Sequence, residues 1–247
     1  MIDLRGKRIL ITGASSGIGM ETAILCDRLG AETLLVARRE EELKVLSERL
    51  VNRSTIHSAD LTKPEEIEKI ALEIEMLDGV VHCTGKIFPY PIKFIRQKQI
   101  NDVFSTNVYS AIELTSQLFT SKKIAKNASF VFLSSISVKH PYMGGALYTS
   151  SKAALESFSK TLALEYAKLG IRSNCVAPAL VQTEIVQTTK ESYNKEDWQS
   201  IVDQYPLGIG NPIDVANMIA FLLSEASSWI TGNTIPMDGG LVLNSKK

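Results

Sequence analysis

The sequence predicts an α/β fold, a doubly wound parallel sheet in one domain spanning 1–247. Three observations predict it. Short β-branched runs alternate with longer segments of helical periodicity almost without a break. The strand-like runs are continuously apolar, as strands buried on both faces require. No internal repeat, low-complexity tract or linker rich in Gly, Ser or Pro divides the chain. Right-handed crossovers then place helices on both faces of the sheet.

Each element follows in order. Residues 8–12 (RILIT) read as a buried strand, and 18–29 as a helix that Gly30 is placed to close. Residues 33–37 form the next strand, followed by a charged helix over 40–50, and 54–58 is short and strand-like. Thr62 with Glu65 three residues on is a capping-box signature, predicting a helix to about residue 75. Strands at 79–83 and 129–133 flank a long helical stretch around 101–121. A helix over about 150–169 carries Leu155, Phe158, Leu162, Tyr166 and Leu169 at three- and four-residue spacing, and 171–177 is a further strand. The polar segment 179–206 is long for a connection in a compact domain, which predicts a substrate loop, with Ile185, Val186, Tyr193 and Trp198 shaping a pocket. A surface insertion is the alternative.

Composition removes several classes of function. The chain carries 27 basic and 27 acidic side chains and is 45% hydrophobic, which excludes the disordered class. Without a basic excess or stripe, no nucleic-acid partner is expected. No apolar run approaches the ~18 residues of a membrane helix, and Lys7 and Arg8 lead into a strand instead of a signal stretch, so a soluble protein away from the membrane is expected. Cys26, Cys83 and Cys175 lack CxxC spacing and His57, His82 and His140 are scattered, so no metal site and no disulfide framework are expected. Thiols in a reducing compartment make the cytoplasm the expected location.

Three motifs carry chemistry. The first strand runs into TGASSGIG at 12–19, where Gly13, Gly17 and Gly19 let the backbone approach a pyrophosphate at a helix N-terminus. The spacing is neither GxGxxG nor a Walker A loop. The second strand ends in Arg38 and Arg39 with no acid before Glu40, which favours the 2′-phosphate of NADP over the ribose hydroxyls of NAD. The alternative is two solvated charges at a helix start. Tyr148 and Lys152 stand four apart and share a helix face, and a fixed ammonium favours a phenolate, so the pair suits acid/base work near neutral pH. Ser135, at the end of FVFLSS, is placed to add a hydroxyl beside that phenol.

Together these motifs resemble the short-chain dehydrogenase/reductase family, over essentially the whole chain. TGASSGIG resembles the family's cofactor loop, which implies cofactor contacts from Gly13, Ser15, Ser16, Gly17, Ile18 and Gly19. YTSSK resembles its active-site motif. The resemblance implies a catalytic tetrad of Asn107, Ser135, Tyr148 and Lys152. It also implies an adenine contact at Asp60 (a turn or capping role is the alternative), a carboxamide contact at Thr183, and further cofactor contacts at Leu61, Gly85 and Pro178. Tyr148 would exchange the proton, Ser135 bind the reacting oxygen, Lys152 lower the tyrosine pKa and hold the ribose, and Asn107 hold a water. Two positions depart from the family pattern: Cys83 stands where an asparagine is usual, and Ala179 where a glycine follows Pro178.

The implied activity is NADP(H)-dependent hydride transfer to or from a carbonyl or alcohol carbon. The run YPLGIGNPIDVANMIAFLLS resembles the bacterial β-ketoacyl-carrier-protein reductases, implying an acyl thioester as substrate, and also related sugar and alcohol dehydrogenases. Lys93, Arg96 and Lys98 are candidates for docking an acidic carrier protein, or ordinary solvated charges. A sugar, polyol or alcohol dehydrogenase and a catalytically silent nucleotide-binding regulator are the alternatives. A homodimer or homotetramer is implied by resemblance alone.

Overall fold

Seven parallel strands, β1 (Arg8–Thr12), β2 (Glu32–Ala37), β3 (Ser54–Ser58), β4 (Leu77–His82), β5 (Ile124–Leu133), β6 (Arg172–Pro178) and β7 (Thr234–Met237), form one sheet in the order β3-β2-β1-β4-β5-β6-β7. The computed structural model describes residues 2–184, 186 and 194–244. The helices are α1 (Gly17–Arg28), α2 (Glu40–Glu48), α3 (Pro64–Glu73), α4 (Gln97–Phe104), α5 (Ser110–Thr120), α6 (Ala146–Glu165), α7 (Lys195–Val202) and α8 (Pro212–Leu223). This is the doubly wound fold expected from the alternation.

Strand pleating divides the core into two layers. Ile9, Ile11, Leu35, Val81 and Val131 pack with α1, α2 and α8, whereas Leu10, Leu34, Val80, Phe130 and Phe132 pack with α3, α5 and α6. Successive residues of one strand thus feed opposite layers, which explains the continuous apolar runs. Arg172 is buried and donates to the carbonyls of Leu222 and Ser224 and to Ser227 Oγ, at 2.8, 3.1 and 2.9 Å. One guanidinium therefore satisfies carbonyls that the end of α8 leaves unpaired.

Several boundaries differ from expectation. The capping box at Thr62 does not form: the hydroxyl of Thr62 donates to Asp60 Oδ1 at 2.8 Å, and Pro64 opens α3 behind Lys63. Proline has no N–H to cap and a φ already suited to a first helical turn. The long helix expected near 101–121 is broken by a π-turn, Ser105–Tyr109, between α4 and α5. Helix α6 begins at Ala146, four residues before the expected start, so Tyr148 lies in its first turn. Strand β5 extends back to Ile124, past an irregular pairing with β4 between Leu77 and Gly79. Among the described residues, no helix is long and apolar enough to cross a membrane, and no group of three His, Cys, Asp or Glu side chains could hold a metal.

Candidate active site

The strand order reverses between β1 and β4, and in open α/β sheets the crevice at such a point is where ligands bind. The glycine turn sits there, between β1 and α1. Gly13 adopts φ +66°, and a Cβ on it would meet the Cys83 carbonyl carbon and the Thr84 nitrogen at 3.0 Å. A Cβ on Gly19 would lie 2.3 Å from the Gly13 oxygen. The turn is therefore packed to the limit of a bare backbone. Ser16 caps α1 without a side-chain hydrogen bond, so the first-turn amides keep the free N–H groups and positive dipole end that attract an anion. Thr183 closes the other side: its Cγ2 is 3.3 Å from where a Gly17 side chain would begin.

Arg38 and Arg39 are exposed at the end of β2. The Arg39 guanidinium donates to Ser15 Oγ at 3.1 and 3.2 Å and lies 3.6 and 3.7 Å from carboxylate oxygens of Glu42 and Glu184. It roofs the glycine turn. The Asp60 carboxylate accepts from the backbone and hydroxyl of Thr62. Burial pushes that carboxyl up, and the Thr62 hydrogen bonds with Arg38 and Lys63 nearby outweigh it, holding it below the usual carboxylate value. The side chain of Leu61 is buried in the core layer under α3. The Asp60 carboxylate thus ties the turn after β3, and the Asp60 amide donates to Glu66 Oε2 at 2.6 Å.

The second half of the site is gripped between β5 and α6. Three consecutive residues leaving β5 each meet α6. Lys152 Nζ donates to the Leu133 carbonyl at 2.7 Å, Ser134 Oγ donates to Glu156 Oε1 at 2.6 Å, and the Ser135 hydroxyl is near enough to the Tyr148 phenol to favour its ionised form. The Ser137 amide donates to Ser135 Oγ at 3.2 Å, fixing that hydroxyl within a short 3-10 turn. Lys152 is buried, and its Nζ lies 5.7 Å from the Tyr148 ring centre. Gly85 packs on the ammonium, with Nζ 3.3 Å from its missing Cβ and Asn107 Oδ1 at 3.9 Å.

Asn107 stands in the π-turn, flanked by hydroxyls that bond back along the helix: Thr106 donates to the Asp102 carbonyl of α4 at 3.1 Å and Ser110 to the Thr106 carbonyl at 2.6 Å. Its carboxamide accepts from the Lys86 amide at 2.7 Å and donates to the Lys86 carbonyl and Ser151 Oγ, both at 3.0 Å. The side chain braces the segment after β4 and makes no direct bond to Lys152.

Burial pushes the Tyr148 phenol up to about 12, with the Ser135 hydroxyl opposing, and burial pulls the Lys152 ammonium down to about 8. In the protein alone burial sets the direction for both groups, each being withdrawn from water, and the ammonium is aimed at the Leu133 carbonyl. The resulting pair is a neutral phenol, able to give a proton, beside an ammonium near its titration point. That combination can protonate an oxygen as charge develops on it.

The chain has close relatives of known sequence and structure. A family model described as enoyl-(acyl carrier protein) reductase matches residues 13–242. The 3-oxoacyl-[acyl-carrier-protein] reductase FabG of Rickettsia bellii is 33% identical over 245 residues, covering 98% of this chain and 100% of the relative. A tropinone reductase homolog of Arabidopsis thaliana is 32% identical over 250 residues, covering 98% and 94%. The crystal structure of a short-chain dehydrogenase/reductase from Brucella melitensis, described as a glucose/ribitol dehydrogenase, aligns with a TM-score of 0.90 at 26% identity, covering 97% and 98%. The chain belongs to the short-chain dehydrogenase/reductase family. It is an oxidoreductase of a family that uses a nicotinamide cofactor.

Two positions depart from the pattern of short-chain dehydrogenase/reductases. Cys83 packs half-buried against the α1 side of the core, and burial pushes its thiol up to about 12, so it behaves as a small apolar side chain. Ala179 is not among the residues with positive φ, and its amide donates to the Met237 carbonyl at 2.9 Å, continuing the β6–β7 pairing. Pro178 is the buried last residue of β6. Beyond it the Val181–Gly210 bridge holds the start of the expected substrate loop. Val186 follows, its amide donating to the Thr183 carbonyl at 3.0 Å, and Trp198 lies on α7. Ile185 and Tyr193 lie outside the described residues. Lys93, Arg96 and Lys98 are exposed, and Arg96 donates to the carbonyls of Lys93 and Ile95 at 3.0 and 2.9 Å. Sequence reasoning missed Ser134, Ser151 and Glu156; the position of Glu156 four residues beyond Lys152 on one helix face was the available signal.

Proposed function

We propose that this chain is an NADP(H)-dependent carbonyl reductase acting on a 3-oxoacyl thioester. The observation that carries the chemistry is the Tyr148 phenol, with the Ser135 hydroxyl beside it and a buried Lys152 5.7 Å from its ring centre, at the C-terminal end of β5. Cofactor binding falls to the glycine turn, with Ser15, Ser16, Ile18 and the α1 amides on the pyrophosphate, and Arg38 and Arg39 on a 2′-phosphate. The backbone at 60–61 takes the adenine, and Gly85, Pro178 and Thr183 take the nicotinamide end. When bound, the reduced nicotinamide supplies a hydride to the carbonyl carbon. Ser135 donates a hydrogen bond to the carbonyl oxygen, Tyr148 gives it a proton, and Lys152, protonated at pH 7, stabilises the phenolate that remains. Asn107 keeps the segment after β4 against the ammonium.

The entrance favours an acyl chain over a polyol. Ile87, Phe88, Ile92 and Phe94 are exposed on the segment that follows Lys86, which is tied to the loop before α6 by a hydrogen bond from the Tyr90 amide to the Gly144 carbonyl at 2.9 Å. Tyr142 and Met143 are exposed on that second loop, a few residues from Tyr148. Such a rim offers apolar surface where a sugar would need hydrogen-bonding partners. The name of the R. bellii relative points the same way. Exposed Leu207, Trp229 and Leu243 suit burial against further copies of the chain in a homodimer or homotetramer.

The test is consumption of NADPH with a 3-oxobutanoyl thioester. Tyr148→Phe loses at least roughly a hundredfold in kcat, the lower range for a positioned acid, while retaining NADPH binding. Near-normal turnover in that variant sinks the mechanism. A 2-enoyl thioester with NADPH, and a polyol with NADP+ followed by formation of NADPH, separate ketone reduction from the two other chemistries named among the relatives.

A further inference from the structure

Glu156 is a buried acid that the proton transfer proposed above does not use. It stands one helical turn beyond Lys152 and two beyond Tyr148, so phenol, ammonium and carboxylate run along one face of α6. That face meets residues 133, 134 and 135 in turn, and Glu156 holds the middle one through the 2.6 Å bond from Ser134 Oγ. The backbone of Ser134 is held from the other side, its amide donating to the Val176 carbonyl at 2.7 Å. Ser135 and Glu156 also line one small cavity at the end of β5.

Glu156 is 9% exposed, and among the described residues no Lys or Arg forms an ion pair with it. A carboxylate buried without a cation is a costly occupant of a helix position that Leu would fill. Its return is a short hydrogen bond accepted from Ser134 Oγ, which fixes geometry better than packing does. We infer that Glu156 is a positioning residue: by holding Ser134 it sets where the turn after β5 begins, and so aims the Ser135 hydroxyl at the substrate oxygen. This rests on the reading of Ser135 given above.

A double-mutant cycle in the NADPH-dependent reduction of a 3-oxobutanoyl thioester separates the two claims. Ser135→Ala alone tests the reading of the site and loses roughly a hundredfold in kcat. Glu156→Leu lowers kcat about tenfold by misplacing Ser135, while KM for the thioester and NADPH affinity stay within about twofold. Glu156→Gln keeps an oxygen that accepts from Ser134 and recovers kcat to within about threefold. In the Ser135→Ala background Glu156→Leu costs less than about twofold, since the group it positions is gone. The same factor in both backgrounds, or no recovery by Gln, overturns the inference. If Glu156→Leu does not fold, Ser134→Ala replaces it in the cycle with the same expected result. If Ser135→Ala loses nothing, the reading of the site falls, and the positioning role with it.

Discussion

Replacing Lys152 by Met changes how the stability of the protein responds to pH, by an amount that follows from burial. The Lys152 ammonium is enclosed by Gly85, the Leu133 carbonyl and the Tyr148 ring, and burial lowers it from 10.5 to about 8. At about 1.4 kcal/mol per pH unit, the charged form costs the fold roughly 3 kcal/mol. Below pH 8 the lysine is protonated in both folded and unfolded chains, and that cost is fully present. Between about 8 and 10.5 the folded protein has released the proton and the unfolded chain still binds it, so stability rises with pH. Wild type therefore gains on Lys152→Met by about 2.5 kcal/mol between pH 7 and pH 10. Tyr148 moves the other way: raised to about 12, its contribution holds to pH 10 and is lost only as pH approaches 12. It is present in both proteins and cancels in the difference. Urea unfolding followed by circular dichroism at fixed protein concentration, at unit steps from pH 7 to pH 10, gives the difference curve. Curves that stay parallel within about 0.5 kcal/mol would refute a desolvated ammonium. A wild type that loses ground as pH rises would mean that an anion holds the lysine.

The remaining predictions concern the cofactor. Replacing Arg38 and Arg39 together by Ala weakens NADPH about ten- to a hundredfold, the worth of one charge-assisted contact, and leaves NADH unchanged; fluorescence titration checks this, and equal affinities for the two cofactors in the unmodified protein would refute it. Gly19→Ala forces a methyl onto the Gly13 oxygen, 2.3 Å from where it must sit. The turn has to shift, at about 1–3 kcal/mol in stability and at least tenfold in NADPH affinity, read by thermal unfolding with and without NADPH. Normal cofactor binding in that variant would show that the turn does not hold the pyrophosphate.

Much of this architecture was legible because its causes are local. A parallel strand buried on both faces has no polar side, so the run at 8–12 declares itself, and helix α1 follows from the glycine turn that must precede it. Tyr148 and Lys152 were legible as a pair because four residues on a helix make one face. What escaped depends on contacts between distant segments. The turn role of Asp60 depends on Thr62 turning back to it, not on forward capping. The π-turn that holds Asn107 needs Lys86, 21 residues earlier, and Ser151, 44 later, to take its carboxamide. The grip of α6 on Leu133 and Ser134 is invisible in either segment alone, and so is the upward shift of the Tyr148 phenol, since burial belongs to the assembled core.

The π-turn has one more implication, for how this chain can vary. A turn of this kind carries one residue more than the helical turn it replaces, and each residue advances a helix by about 100°. Helices α4 and α5 are therefore out of phase by that rotation, and only with it do Asn107 point at Lys86 and Leu114 and Leu118 point at the sheet. Deleting a single residue from this stretch would swing one set or the other to the wrong side. The number of residues between Gln97 and Thr120 thus constrains the fold more tightly than their identities: a single deletion there should cost more stability than most single substitutions.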